Sequence, residues 1–287
     1  MPKIFVIIVN YKSEDDIGDA ISSIEEENLN INILVLDNGS SPGSLNNLYR
    51  LKTDNIEIIS SKNNLGFAGG VNFSFRYIMK DHNDIDYVFL LNPDALSTKN
   101  LIFNLYNMML GDKSIAALSP KILDMNNNDW YSGAVIDWKQ CCVINNPVAR
   151  IDNNKVDLFN GCAVLLDARK FEKSGGFNED TFLYSDEAFL SMKFLELGYK
   201  VAYFPDQIIH HKVSHSVGNG GALKHYYITR NHLYFFTEYR KRENSYLAAY
   251  RRPLKNTLWH LKHLNFACFL LGIKAIIHFH LGRKGKL

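Results

Sequence analysis

The chain has 287 residues, 46% hydrophobic and 22% charged, with a formal net charge of +2. That balance excludes a disordered or fibrous chain, and the length allows one large core or two smaller ones. The small total hides an uneven distribution: residues 224–287 hold 13 basic and 2 acidic side chains, net +11, so the rest of the chain carries −9. The acidic body argues against a nucleic-acid partner, and the basic segment predicts an anionic one.

Residues 4–9 form a β-branched run typical of a strand buried on both faces. Ser13, Asp15 and Asp16 precede Ile17, Ile21 and Ile24, a helix-start pattern. Residues 31–36 read as a second strand closed by the turn cluster Asp37-Asn38-Gly39-Ser40. A short helix over 45–51, a strand over 56–60, a helix over 69–79 and a strand over 87–91 follow, the last ending in Asn92-Pro93-Asp94. This β-α alternation predicts an α/β fold with an open, mostly parallel sheet. Ligands of such sheets sit at the carboxyl ends of strands, where Asn10, Asp37, Asn38, Asn92 and Asp94 would gather along one edge.

Residues 124–154 are polar and Asn-rich, carry Trp130 and Trp138, and read as loops and short strands. A strand over 159–167, a helix over 169–173, a helix over 187–197 stopped by Gly198 and a last strand over 201–204 follow. From residue 224 the chain is helical, aromatic and basic, with Pro253 placed to open a helix. The expected organisation is a body over 1–223, divided into 1–94 and 95–223, and a C-terminal helical extension over 224–287. Cys141, Cys142, Cys162 and Cys268 form no CxxC pair and read as free thiols in a reducing cytosol. Residues 4–9 are too short for a signal segment. The apolar stretch 266–279 is shorter than the ~20 residues of a membrane span and is interrupted by Lys274 and His278.

Five clusters have chemical potential, and each also has a bland reading. Asp94 at a strand end suits a divalent cation, while Asn-Pro-Asp is equally a turn. Asn63 to Asn72, with Gly66, Gly69 and Gly70, either lets backbone approach a phosphate or makes a tight strand-to-helix turn. Asp186-Glu187 suits general-base work or simply complements a helix N-terminus. His210, His211 and His215 offer an imidazole to a metal begun by Asp94, or are packed and surface residues. Arg230, among the aromatics of 224–231, would hold phosphate or flank a core helix.

In chain order these clusters are more specific than any one alone. Val9-Asn10-Tyr11, Asp37-Asn38-Gly39-Ser40, Asn63-x-x-Gly66-Phe67-Ala68-Gly69-Gly70-x-Asn72 and Leu90-Leu91-Asn92-Pro93-Asp94 resemble the nucleotide-sugar motifs of family 2 glycosyltransferases, in particular a bacterial rhamnosyltransferase-like group. Gly161, Gly175-Gly176-Phe177, Tyr184–Glu187, Gly198, His211 and Arg230-Asn231 resemble that group's acceptor-side and closing motifs. The resemblance covers about residues 3–235. It implies a GT-A fold, a nucleoside-diphosphate sugar donor with thymidine-diphosphate rhamnose as first candidate, Mg or Mn, and inverting transfer to a glycan acceptor in cell-surface polysaccharide synthesis.

It further implies that Asn10, Tyr11, Asp37 and Asn38 lie around base and ribose. Asn63, Gly66, Phe67, Gly69, Gly70, Asn72, Asn92 and Arg230 would shape the donor site. Asp94 and His211 would hold metal, with His210 the register-shifted alternative. Glu187 would be the base and Asp186 its neighbour. The chain departs from the family pattern in three ways: Asp186-Glu187 reverses the usual Glu-Asp, Phe189 replaces a common acid, and Lys193 replaces an Arg. The reversal leaves open which acid is the base.

The basic segment has the make-up of an interfacial helix on anionic lipid. That predicts a peripheral position at the inner face of the cell membrane and a lipid-linked acceptor; packing on a second subunit is the other option. A non-catalytic nucleotide-sugar-binding module is the competing function. A nicotinamide dehydrogenase is disfavoured because the glycines follow the third strand instead of the first.

Overall fold

A computed structural model describes residues 2–24, 27, 29–146, 155–212, 221–239 and 246–287. His215 and the basic triplet at 240–242 lie outside the described residues. The body opens with β1 (Ile4–Asn10), α1 (Ile17–Ser22), β2 (Ile31–Asn38), α2 (Pro42–Tyr49), β3 (Ile56–Ser61), α3 (Gly66–Asp81) and β4 (Tyr87–Leu91). It continues with β5 (Ala95–Ser97), α4 (Leu101–Gly111), β6 (Ile115–Asp124), β7 (Asp129–Tyr131), β8 (Ala134–Asp137), β9 (Cys142–Asn145), β10 (Lys155–Val156) and β11 (Ala163–Asp167). Then come α5 (Ala168–Ser174), a 3-10 turn (Glu179–Thr181), α6 (Asp186–Glu196), β12 (Lys200–His211), α7 (Gly221–Glu238), α8 (Ala248–Lys262) and α9 (Phe266–His280).

The central sheet runs β10-β12-β6-β11-β4-β1-β2-β3, with β5 on β12 and β7 on β6; β8 and β9 form a separate hairpin. The β3-β2-β1-β4 half is parallel, as the β-α alternation predicts. β11 is antiparallel to both of its neighbours, and β6 pairs with β12 in parallel. The sheet is therefore mixed and mostly parallel. Strands from 1–94 and from 95–223 share this one sheet. In the parallel half the chain order reverses at β1, so the carboxyl ends of β1 and β4 flank a topological switch point.

Local chemistry sets several boundaries. Ser41 caps α2 through Ser44 N–H, with Pro42 in the first turn. Asp167 caps α5 through Lys170 N–H. α3 begins at Gly66, three residues before the predicted start, because Gly66 takes a left-handed φ of 76° that turns the chain into the helix. β12 does not end at Phe204. Its register against β6 shifts between Phe204 and Ile208, a bulge that accommodates Pro205, and the strand resumes to include both histidines.

The C-terminal extension is built into the molecule. Phe235, Phe236 and Ala249 join the main core, and Trp138 stacks on Phe235 at 6.1 Å. A second cluster joins Tyr226, Tyr227 and Ala275 to Phe182 of the body. Pro253 does not open a helix: α8 starts five residues earlier, and Pro253 is buried within it. Among the described residues, no helix is long and apolar enough to cross a membrane. All four cysteines are free.

Candidate active site

Asn10 and Asp37 lie at the ends of β1 and β2 and stand opposite each other in the register. Both are buried. Asn10 Oδ1 accepts from Ser13 N–H and Asp37 Oδ2 from Ser40 N–H, so each side chain closes its own turn. The second polar atom of each, Asn10 Nδ2 and Asp37 Oδ1, is buried with no partner. Tyr11 is exposed beside them, under Lys12 Nζ.

Asn38 is a structural hub. Its Nδ2 donates to Gly66 O at 2.9 Å, and its Oδ1 accepts from Leu65 N–H at 2.9 Å. These bonds fold the loop ahead of α3, on which Asn63 is exposed and Phe67 is half-buried. A Cβ on Gly70 would fall 2.8 Å from Val9 Cγ1, so α3 can cross β1 this closely only without one. A Cβ on Gly69 would contact Leu65 instead. Asn72 pins α3 to the later chain: its Nδ2 donates to Phe177 O and its Oδ1 accepts from Phe177 N–H, both at 2.9 Å. Asn38 and Asn72 thus hold the walls of the site with their side chains.

The half-buried Asn92 follows β4, and its N–H donates to Cys162 O at 2.8 Å. Asp94, two residues on, is buried, and its Oδ1 lies 3.1 Å from His211 Nε2 on β12. The β5–β12 ladder sets this meeting, because it pairs His211 with Ala95 and so brings it alongside Asp94. His210 points the other way, to Asn127 Oδ1 at 3.2 Å, since neighbouring strand residues face opposite sides. Of the two histidines, His211 is therefore the one that faces Asp94. Its Nδ1 is buried without a partner.

Asp186 and Glu187 open α6. The preceding Ser185 is left-handed (φ 65°) and makes no side-chain cap, so the two acids supply the negative charge at this helix start. Burial pushes Asp186 well above the usual carboxylate range, and the Glu187 charge adds to that. Burial also raises Glu187, against the opposing effects of its own N–H, Gly161 N–H and Asp186. Burial thus favours the protonated form of both carboxyls, and each influences the other. A Cβ on Gly161 would sit 3.2 Å from Glu187 Oε1 and from the Phe67 ring. Cys162, next in the chain, feels both sites: burial raises its thiol well above normal, and the charges of Asp94 and Glu187 raise it further. Gly161 thus adjoins Glu187, while Cys162 O is bonded to Asn92, two residues before Asp94.

Arg230 is not positioned to hold phosphate. It is 1% exposed, and its guanidinium donates to the carbonyls of Gly285 (2.7 Å), Thr181 (2.9 Å) and Asp180 (3.2 Å). It clamps backbone carbonyls in this structure. Phe189, where the family pattern has an acid, packs on Phe235 at 5.3 Å and belongs to the core. Trp130 is not among the site residues expected from the sequence, yet its ring lies 5.5 Å from that of His211. An aromatic side chain in an otherwise polar stretch is the available signal.

Among the described residues, nine buried side-chain polar atoms lack a partner, and four belong to Asn10, Asp37, Asp186 and His211. Buried polar groups are normally satisfied, so these four atoms could each take a polar ligand. No described cluster of three or more His, Cys, Asp or Glu side chains is arranged to hold a metal. One carboxylate and one imidazole fit a divalent cation that takes its remaining ligands from substrate phosphate and water, as Mg-type sites commonly do.

Residues 5–172 match the family described as Glycosyl transferase family 2. The chain is 31% identical over 189 residues to the low-salt glycan biosynthesis hexosyltransferase of Haloferax volcanii, covering 63% of this chain and 58% of that relative. The chain thus spans less than two thirds of the curated relative's length. Its fold is similar to that of a mannosyltransferase from Pyrobaculum calidifontis solved with GDP-Man and Mn2+, with a TM-score of 0.60 and 16% identity, over 100% of this chain and 76% of the other. It is also similar to GalNAc-T7 solved with UDP, GalNAc and Mn2+, with a TM-score of 0.59 and 13% identity, over 81% of this chain and 51% of the other.

Proposed function

Because the chain belongs to glycosyl transferase family 2, we propose that it is a metal-dependent, inverting hexosyltransferase acting in cell-surface glycan synthesis. The donor is a nucleoside-diphosphate sugar and the acceptor is a hydroxyl of a glycan. One observation carries this reading: Gly161 adjoins Glu187 of the carboxylate pair, and Cys162 O is bonded to Asn92, two residues before Asp94 of the Asp94–His211 pair. The Haloferax relative is described as a hexosyltransferase, which broadens the donor from thymidine-diphosphate rhamnose to hexoses in general.

Asp94 and His211 would hold the divalent cation, which when bound offsets negative charge on a diphosphate leaving group. Glu187 accepts the proton of the acceptor hydroxyl as that oxygen bonds to the anomeric carbon. The bond from that carbon to the diphosphate breaks on the opposite face, and the nucleoside diphosphate leaves with the bonding pair. Asp186 neighbours this base in the first turn of α6. Asn10 Nδ2 and Asp37 Oδ1 are free to bind the nucleoside. The decisive experiment is a panel of nucleotide sugars, including thymidine-diphosphate rhamnose and GDP- and UDP-hexoses, assayed with and without Mn2+. Transfer by one donor with inverted anomeric configuration supports the reading; no turnover or thermal shift with any donor rejects it.

The acceptor is lipid-linked in this reading, and the enzyme docks on an anionic membrane through α8 and α9. These helices bury their small residues, Ala249, Thr257, Gly272 and Ala275, and expose large apolar ones, including Leu258, Trp259, Phe266 and Leu270, with Leu264 exposed in the turn between them. Exposed Arg251, Arg252, Lys255 and Lys262 accompany them, and no acid follows Glu243. An apolar face bordered by cations fits an anionic lipid surface. Sedimentation with phosphatidylglycerol vesicles, absent with phosphatidylcholine and lost in Leu258→Glu/Trp259→Glu, is expected. Equal sedimentation of that variant would reject the docking.

A further inference from the structure

Three residues in the short stretch before the carboxylate pair have an unfavourable backbone. Phe182, Tyr184 and Ser185 all take positive φ, from 64° to 65°. For residues with a Cβ this conformation is unfavourable, so it persists only where surrounding contacts enforce it. Ser185 is the residue from which α6 begins, and Glu187 lies two positions on. Whatever holds this loop therefore fixes where the Glu187 carboxylate sits.

The contacts come from two adjacent side chains on α7. Asn231 Nδ2 lies within hydrogen-bond distance of three loop carbonyls, Thr181 at 3.0 Å and Leu183 and Tyr184 at 2.9 Å. Arg230 grips Asp180 O and Thr181 O, and its Nε donates to Asn231 Oδ1 at 3.1 Å, which orients the amide. Both residues are 1% exposed. The remaining arm of the guanidinium reaches Gly285 O, while Gly285 N–H donates to Asp180 O and Lys284 Nζ pairs with Asp180 at 2.7 Å. The same loop also touches the donor wall, where Phe182 O accepts from Phe67 N–H at 3.0 Å.

We propose that Arg230 and Asn231 are positioning residues that latch the strained 181–185 loop and thereby set the Glu187 carboxylate for proton abstraction, with residues 284–285 completing the latch. This rests on the reading of Glu187 as the base. Neither side chain touches substrate in this scheme, because their donors are committed to backbone carbonyls. A latch of this kind acts on the rate of transfer more than on donor binding, since Phe182 keeps its own anchor on Phe67.

The test uses the full chain with Asn231→Ala, Glu187→Gln and the double variant. Asn231→Ala is expected to lower kcat about 10- to 100-fold, the scale on which a small misplacement costs rate, while donor KM changes less than about threefold. In the Glu187→Gln background the same substitution should lower kcat less than about threefold, because residues acting as one unit are not additive. Hydrogen exchange at amides 182–187 should quicken in Asn231→Ala. Arg230→Lys keeps the charge but loses the fork, so it should show an intermediate kcat loss, and it replaces Asn231→Ala throughout if that variant does not fold. Equal kcat losses in both backgrounds, or an unchanged kcat in a folded variant, overturn the latch. Faster exchange together with a fully active Glu187→Gln overturns the base assignment instead and leaves the loop contact standing.

Discussion

His211 Nε2 lies 3.1 Å from Asp94 Oδ1, although the two residues are 117 positions apart in the chain. The link is made by the short β5–β12 ladder and by the resumption of β12 beyond its bulge. Asp94→Ala and His211→Ala should each weaken Mn2+ binding in the presence of nucleoside diphosphate, while His210→Ala should leave it unchanged. Calorimetric titration checks this, and an effect of His210→Ala equal to that of His211→Ala contradicts the assignment.

Glu187→Gln should lower kcat by about 10²- to 10⁴-fold, the usual contribution of a general base. Asp186→Asn should cost less, because in this reading Asp186 neighbours the base and does not itself take the proton. Steady-state kinetics at neutral pH decide between them; a larger loss in Asp186→Asn would exchange the two roles.

Gly66→Ala should destabilise the protein by about 2 kcal/mol or more, from the left-handed backbone and from overpacking. The added Cβ would fall inside the contact radius of Phe182 O. Gly175→Ala carries the same backbone cost without the clash, because open space surrounds its Cβ direction. Thermal melts of the two variants should place Gly66→Ala several degrees below Gly175→Ala.

Acid should loosen the C-terminal helices. Burial lowers His225 and His232 from 6.5 to about 4. The charge of His260 adds repulsion at His225, and that of Arg252 does so at His232. Both imidazoles are neutral in the folded state, and the unfolded chain binds the extra protons between about pH 6.5 and 4. Stability from these groups is thus complete above pH 6.5 and is lost as pH falls through that window. The raised carboxyls of Asp186 and Glu187 act in the opposite sense. Wild type is therefore best compared with His225→Gln/His232→Gln, whose melting temperature should fall less between about pH 7 and 4.5. An equal fall in both proteins would remove these imidazoles as the cause.

Much of this protein is legible locally. The β-branched runs announce the parallel strands, because burial on both faces demands uninterrupted apolar residues. The polar residues that follow them, from Asn10 to Asp94, must then share an edge, since strands of one direction present their ends together. Long-range contact decides the rest. Arg230 has the chemistry of a phosphate ligand, but Thr181 and Gly285 occupy its donors first. Asn38 and Asn72 have the chemistry of ligand-binding amides, yet they hold loops and helices. The order Asp186-Glu187 leaves the base ambiguous in sequence; the fold buries Asp186 at the start of α6 and sets Glu187 beside Gly161. Residue type fixes what a side chain can donate, accept or ionise; the folded structure fixes which partner reaches it and how much water remains.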